Sequence, residues 1–326
     1  MDALSEVLRS VQLEGALYLD ADFTAPWALL GKYGMVSVRE RLAGAEHVVF
    51  FHYLTVGRCK VRLVDGSEVL DVAAGDLVLF PQDDRHLMGS DLHVAPLEAD
   101  NLSLEDAGPG QERFVRVRHG GGGEVTRFVC GYLACNRSVL RPMLEALPRL
   151  VRISLGDGAA GSLMRDLLKF GIRESAQAQP GSSSSLAKVA ELMFVEAMRK
   201  YVAELPDEAR GLLAGIRDAQ IGRALALMHA SSAKAWTVDS LAREVAMSRS
   251  VLAERFAELL GEPPMQYLTR WRLAVAARSL RSSAEPITRV AQRCGYESEA
   301  AFNRAFKREF GLPPAAWRRS VGSHIA

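Results

Sequence analysis

Short apolar runs separated by turn residues fill much of the first half of the chain. Five of them alternate or stay apolar over five to eight residues, which is typical of β-strands: Val48–Leu54, Cys59–Val64, Glu68–Val72, Asp76–Phe80 and Thr126–Leu133. Asp65-Gly66 and Gly75-Asp76 supply turn residues between them. Closely spaced antiparallel strands of this kind predict a small barrel or jelly roll. The polar segment 100–124 ends in four glycines, and we expect a flexible loop there.

A helical periodicity replaces the strand pattern further along the chain. Apolar residues recur at three- and four-residue spacing in 138–147, 161–176 and 186–205, which predicts three helices. The apolar stripe of the last helix either packs on the barrel or pairs with a second subunit, and both alternatives stay open. We therefore expect an α+β protein: a β-barrel domain with helices over 1–205, a linker over 206–216 and an all-α domain over 217–326.

The last third of the chain contains one helical pattern twice. Each copy has a short helix, a turn that ends in serine, a longer helix, and then a glycine followed by two prolines. Ser248 and Ser298 are 50 residues apart, as are Gly261 and Gly311, whereas the first helices are offset by 49. Serine favours the start of a helix and glycine its end. Two such helix-turn-helix units can present two recognition helices to successive major grooves of DNA.

The residues opposite the apolar row of each second helix are the candidates for DNA contact. In the second copy these positions are Glu299, Ala300, Asn303 and Arg304. In the first copy they are Arg249, Ser250, Ala253 and Glu254, which offer fewer long donors and should discriminate bases less. Arginine can pair with guanine and asparagine with adenine. Phosphate contacts are expected from five further basic residues: Arg255, Lys307, Arg308, Arg318 and Arg319. The alternative is a plain helical bundle with a solvated charged face.

This repeat resembles a known DNA-binding domain. Residues 217–326 are similar to that of the AraC/XylS family of bacterial transcription regulators, and Cys294–Ser298 with the aromatic residues that follow carries the likeness. The resemblance implies a homodimer that binds double-stranded promoter DNA, acts with RNA polymerase and responds to a small signal. It also implies that the protein is not an enzyme.

A second resemblance concerns the strand-rich part. Gly75–Pro81 followed by His86 resembles the second motif of the cupin superfamily, and residues 1–205 are similar to the cupin-type sensor of some AraC-family regulators. Asp83 stands where metal-binding cupins usually carry glycine, and the His-X-His of the first motif is absent. The resemblance to cupins still offers an alternative function, a cupin-type metal enzyme with an accessory DNA-binding end. An architectural DNA binder without a signal is a third.

The candidate sensing residues are cysteines and histidines of the predicted strands: Cys130, Cys135, Cys59, His86 and His52. Together they could hold zinc, which accepts both residue types. The thiols could instead form a redox switch, or they could simply be buried small apolar residues. Positions 130 and 135 face opposite sides of a regular strand, so both join one site only if a bulge intervenes near Gly131. The signal is accordingly expected to be a small molecule, a metal or an oxidant.

Charge and composition add further bounds. The chain of 326 residues has a net charge of +1, with 40 Lys and Arg against 39 Asp and Glu. From Arg217 onward there are 17 basic and 10 acidic residues. The residues before Arg217 include 23 basic and 29 acidic ones. A basic third suits phosphate binding at one end of the molecule. Without an 18-residue apolar run, a secretion signal or a disulfide pattern, we expect a cytoplasmic protein that does not enter the membrane.

Overall fold

The computed structural model describes residues 2–10, 13–31, 47–98, 115–135, 137–156, 158–176 and 181–322. The chain divides into two compact units, which confirms the predicted α+β class. The sheet unit comprises Leu13–Cys135 and Leu147–Tyr201. The helical unit comprises Met1–Gln12, Asn136–Ala146 and Val202–Ala326, so it also contains two segments of the predicted barrel domain.

The sheet unit contains two sheets. Its strands are β1 (Leu13–Thr24), β2 (Ala28–Gly31), β3 (His47–Val56), β4 (Arg58–Leu63), β5 (Leu70–Ala73), β6 (Asp76–Phe80), β7 (His86–Gly89), β8 (Leu97–Glu98), β9 (Val115–Gly120), β10 (Val125–Cys135) and β11 (Val151–Ser154). The first sheet has the order β11-β6-β3-β10-β1-β9, and the second has the order β5-β4-β7-β2-β8. In the described residues the strands of the predicted barrel or jelly roll form two sheets and not one closed barrel.

One strand lies where a flexible loop was predicted. Residues 100–114 of that loop lie outside the described residues, but β9 pairs in parallel with β1 over Leu19–Thr24. Arg116 of β9 forms an ion pair with Asp20 of β1 at 2.7 Å, and Val117 packs against the core. The alternation of valine and arginine in 115–118 is the signal for this strand, and the neighbouring glycine run obscured it.

The helices are α1 (Ala3–Ser10), α2 (Arg137–Glu145), α3 (Ala159–Ala176), α4 (Ser182–Ala203), α5 (Leu212–Arg217), α6 (Ala219–Ala230), α7 (Val238–Glu244), α8 (Arg249–Leu260), α9 (Pro264–Ser282), α10 (Ile287–Arg293), α11 (Glu299–Phe310) and α12 (Pro314–Gly322). Val189, Met193 and Met198 of α4 are buried. A Cβ atom at Gly15 of β1 would lie 2.7 Å from the Ala187 carbonyl oxygen, so α4 lies directly on this strand. The stripe of α4 therefore packs within its own chain, which decides between the two predicted roles.

The segment predicted as a linker is partly helical. It contains α5, whose Leu212 and Leu213 are buried in the helical unit. The guanidinium of Arg217 donates to the carbonyl of Pro206 at 3.2 Å and to the carboxylate of Asp207 at 3.0 Å. These contacts fold residues 206–217 back on themselves, and the two buried leucines attach the segment to the helical unit.

Candidate DNA-binding surface and sensor core

Both helix-turn-helix units use the predicted capping residues. Ser248 accepts a hydrogen bond from the Val251 amide at 3.3 Å, and Ser298 accepts one from the Ala301 amide at 3.2 Å. Gly261 ends α8 with a φ of 77°, which is the left-handed conformation that glycine adopts without strain. Gly311 ends α11 in the same way, with a φ of 75°. The predicted starts and stops of both second helices are thus confirmed.

The two turns share a left-handed residue. Ala246 in the first turn has a φ of 55°, and Gly295, 49 positions later, has a φ of 78°. A Cβ atom at Gly295 would lie 2.9 Å from the Ala233 carbonyl oxygen and 3.1 Å from the guanidinium of Arg272. The second turn therefore requires glycine on two counts, whereas the first accommodates alanine.

Large apolar side chains orient each second helix. Leu252 and Phe256 of α8, and Phe302 and Phe306 of α11, are completely buried. Phe310 packs against the same core, together with Trp317 of α12. Because one face of each helix is committed to the interior, the opposite face is turned outward, as the sequence predicted.

The outward face of α11 is basic and open. Ala300, Arg304, Lys307 and Arg308 are exposed, and Asn303 is half-buried. Glu299 is half-buried, and its carboxylate accepts a hydrogen bond from the Thr288 hydroxyl of α10. Within the described residues Arg304 makes no hydrogen bond or ion pair, so its donors are available to a ligand.

The outward face of α8 differs in how its cations are paired. Arg249, Ser250, Glu254 and Arg255 are exposed, and Ala253 is half-buried. Arg249 lies 3.5 Å from the carboxylate of Asp239, and Ser250 lies 3.2 Å from the Ser248 hydroxyl. Arg255 forms an ion pair with Asp218 at 2.6 Å, and Asp218 also caps α6. Carboxylates of the same unit therefore already neutralise the two arginines of this helix.

Strand alternation brings three predicted sensing residues together in the sheet unit. Cys130 of β10 is the cross-strand partner of His52 of β3, and Nδ1 of His52 lies 2.9 Å from the Cys130 sulfur. Nε2 of His52 lies 2.7 Å from Nε2 of His86, the first residue of β7 in the other sheet. The second ring nitrogen of His86 lies 3.0 Å from the Asp84 carbonyl oxygen. We call this buried row, from Cys130 through His52 and His86 to Asp84, the thiol–imidazole line.

Comparison with known proteins places the chain in a family. Residues 2–203 match the Cupin family, and residues 241–320 match a Helix-turn-helix domain family. The sequence is 30% identical to a putative AraC-like transcription regulator of Streptomyces antibioticus, over 98% of this chain and 99% of that one. The chain belongs to the AraC-like transcription regulators. The regulator is also 30% identical to the HTH-type transcriptional regulator AlkR of Acinetobacter baylyi, over 98% of this chain and 99% of AlkR. With the RCS-specific HTH-type transcriptional activator RclR of Escherichia coli it shares 29% identity, over 98% of each chain.

The thiol–imidazole line does not fit the predicted zinc site. Within the described ranges no group of three or more His, Cys, Asp or Glu side chains is arranged to hold a metal ion. A tetrahedral zinc site requires ligands that converge on one point at roughly 2.0–2.3 Å. His52 instead directs its two ring nitrogens to two different partners, Cys130 and His86, so the three side chains lie in a row. The described geometry is that of a row of hydrogen bonds and not of ligands that converge on one point.

The other two predicted sensing cysteines lie elsewhere. Cys135 is five residues from Cys130 on β10 and pairs with His47, and its sulfur lies 3.7 Å from the His47 carbonyl oxygen. Leu63 of β4 pairs with His86. Cys59 lies four positions from Leu63 on the same strand, and four strand residues span about 13 Å. Burial raises the pKa of Cys135 to about 12 and also raises the pKa of Cys59. Cys135 and Cys59 thus belong to the core, as one of the predicted alternatives held for Cys59.

Burial keeps both histidines of the line neutral. It lowers the pKa of His52 well below its usual value, and the neighbouring His86 lowers it further. It lowers the pKa of His86 to about 4, against a smaller opposing effect of the Asp84 carbonyl. The line is therefore a neutral hydrogen-bonded chain at physiological pH.

Two residues that support the line were not predicted. Asp84 supplies the terminal carbonyl, and the Arg149 guanidinium pairs with the carboxylates of Asp84 and Asp65. Asp83, at the position where metal-binding cupins carry glycine, has a φ of 57°, so the turn keeps the glycine conformation without the glycine. The turn residues were visible in the sequence, but the long-range contact to Arg149 had no local signal.

None of the helices that the structure describes is long and apolar enough to cross a membrane.

Proposed function

We propose that this DNA-binding transcription regulator reads a specific operator by inserting α8 and α11 into successive major grooves. The single observation that carries the proposal is the open basic face of α11, where Arg304 is exposed and unpaired among the described residues. An arginine on the exposed face of a recognition helix can make two hydrogen bonds to guanine, which is the commonest specific contact in the major groove. The paired arginines of α8 support a weaker contribution of that helix to base discrimination.

Binding of the full-length chain to its own upstream region tests this proposal. Footprinting should reveal a protected site with two segments about one helical turn apart, since two recognition helices enter neighbouring grooves. Affinity should fall steeply with salt because Lys and Arg neutralise phosphates. Uniform affinity for operator and unrelated DNA at physiological salt would refute a sequence-specific regulator.

We further propose that the regulator works in the cytoplasm as a homodimer that acts with RNA polymerase, and that its sheet unit senses a chemical signal. The dimer proposal is supported by α3, where Leu163 and Phe170 are 49% and 51% exposed on one helical face. Two α3 helices crossing antiparallel would place Leu163 against Phe170 of the partner subunit. The exposed Asp166 and Lys169 of α3 form an ion pair at 3.7 Å within the helix, so they add no net charge to this surface.

The oligomeric state in solution checks this surface. Phe170→Glu should convert the dimer to a monomer in sedimentation, because it buries a charge without a partner. Phe170→Leu keeps an apolar side chain at the same position, and it should weaken the dimer much less. A Phe170→Glu protein that sediments as wild type would remove α3 from the interface.

A further inference from the structure

The thiol–imidazole line has a defined direction of proton donation. The Asp84 carbonyl can only accept, so the His86 nitrogen 3.0 Å away carries the hydrogen. The other nitrogen of the neutral His86 then accepts from Nε2–H of His52 at 2.7 Å. This leaves Nδ1 of His52 with a lone pair directed at the Cys130 sulfur 2.9 Å away. His52 is therefore a proton acceptor in contact with the thiol.

Three cysteines of the sheet unit are buried, and among them Cys130 is the one that contacts an imidazole nitrogen. Cys130 is 0% exposed, and Cys59 and Cys135 are each 4% exposed. In the described part of the chain neither Cys59 nor Cys135 has an imidazole nitrogen within hydrogen-bonding distance. A thiol that can transfer its proton to a neighbouring base is a far better nucleophile than a buried thiol without one. The chain thus contains its own matched controls for the effect of His52.

We propose that Cys130 is a site of oxidation by a small uncharged peroxide, with the neutral His52 as the hydrogen-bond acceptor that relays the thiol proton to the departing oxygen while the S–O bond forms. The sulfur attacks one peroxide oxygen, the S–O bond forms and the O–O bond breaks. The departing hydroxide takes the proton back from His52 and leaves as water. The thiol loses two electrons and becomes a sulfenic acid, and the peroxide is reduced. Since Cys130 is completely buried, only a small neutral oxidant reaches it.

The product does not fit the site as well as the thiol does. The ring of His86 is stacked on Phe80 at 3.6 Å between centroids, and the ring of His52 lies edge-on to Phe80 at 5.6 Å. An added oxygen at Cys130 must displace His52 or strand β10, because core packing tolerates little extra volume. From the end of β10 the chain continues into α2, which packs against α9, the helix between the two helix-turn-helix units. The proposal takes this covalent connection from β10 to α2 as the route by which oxidation changes DNA binding, a consequence that rests on the proposed function.

Time-resolved labelling of the full-length protein tests the chemistry. The protein is exposed to hydrogen peroxide in the presence of a 1,3-dione that traps sulfenic acids, and each cysteine is followed by mass spectrometry. Cys130 should be trapped at least about tenfold faster than Cys59 and Cys135, in line with the effect of a positioned base. His52→Gln should slow Cys130 to the rate of the other two. Equal rates in the wild-type protein overturn the proposal without any variant, and so does an unchanged Cys130 rate in a folded His52→Gln protein.

Operator affinity separates this inference from the proposed function. Peroxide should change the affinity of the wild-type protein by at least about fivefold, the lower range of allosteric coupling, and should leave Cys130→Ser unchanged. An unchanged affinity after complete oxidation of Cys130 overturns the regulatory role. Failure of the reduced protein to bind any operator would instead overturn the proposed function, while the relative labelling rates would still decide the thiol chemistry.

Discussion

Two arginines on equivalent helices have different roles because the residues around them differ. Arg255 of α8 is paired with Asp218, whereas Arg304 of α11 is exposed without a partner in the described residues. Both arginines were predicted from the sequence as DNA contacts, on the basis of helical spacing alone. Spacing identifies the outward face, but the carboxylate that neutralises Arg255 lies 37 residues away, so its effect required the structure.

Arg304→Ala should therefore weaken binding to the operator more than Arg255→Ala does. We expect a loss of roughly 1–3 kcal/mol for Arg304→Ala, with relaxed preference at one base position. Arg255→Ala should change affinity by less than about threefold, because its charge is already paired at the surface. Titrations against the operator and single-base variants measure both effects. Equal losses for the two variants, or unchanged base preference in Arg304→Ala, would contradict the assignment.

The left-handed residue of each turn gives a second comparison. Gly295→Ala should destabilise the helical unit by about 1–2 kcal/mol, since it adds the left-handed penalty to a contact with the Ala233 carbonyl. Ala246→Gly should be close to neutral, because the relief of that penalty is offset by the greater freedom of glycine when unfolded. Three of the four tryptophans, Trp236, Trp271 and Trp317, lie in the helical unit, so fluorescence follows its unfolding. A Gly295→Ala protein as stable as wild type would show that the turn relaxes.

At the scale of elements, local patterns predicted most strands and helices. The spacing of Leu252 and Phe256, and of Phe302 and Phe306, predicted buried helix faces, and the structure confirms them. β9 was missed because its register depends on a parallel partner, β1, that is distant in sequence. Likewise, the cross-strand pairing of Cys130 with His52 follows from alternation once the register is known, but no local signal sets that register. Local sequence patterns do not show which distant strands pair with each other.

The turn before β7 makes a pH-dependent prediction. Burial, with a smaller effect of Asp84, raises the pKa of Asp83 to about 7, so the charged carboxylate is disfavoured in the folded state. The charged carboxylate therefore lowers the free energy of unfolding. This loss is absent below the ordinary aspartate pKa and grows until pH passes about 7. Asp83→Asn keeps a side chain that tolerates the left-handed conformation and removes the charge. It should stabilise the sheet unit clearly at pH 8 and little at pH 4, as followed by circular dichroism during denaturation. A gain of equal size at both pH values would mean that the titration of Asp83 is not responsible.

At the scale of the whole molecule, the chain is not divided at one point. Ala3, Leu4 and Val7 of α1 are buried in the helical unit, where α1 packs against α6. α2 contacts α9, α5 and α1 in the same unit. The predicted boundary at residue 205 assigned both helices to the barrel, since each directly adjoins a predicted strand in the sequence. Amphipathic periodicity shows that a helix buries one face, but it does not say against which unit.

This organisation predicts that a residue far from the DNA-binding helices in sequence stabilises them. Leu140 of α2 is completely buried, and Leu140→Ala should cost about 2–5 kcal/mol, the usual range for removing such a side chain. The loss should appear in the helical unit, as faster hydrogen exchange of the amides of α9, which α2 contacts. Arg141→Ala alters the adjacent exposed residue, whose ion pair with Glu145 is on the surface, and it should leave α9 protected. If Leu140→Ala instead increased exchange only in strands β1 to β11, α2 would belong energetically to the sheet unit. Reduced protection of α9 would mean that the regulator cannot be cut at residue 205 without loss of helical-unit stability, because two of its stabilising helices come from the amino-terminal half of the chain.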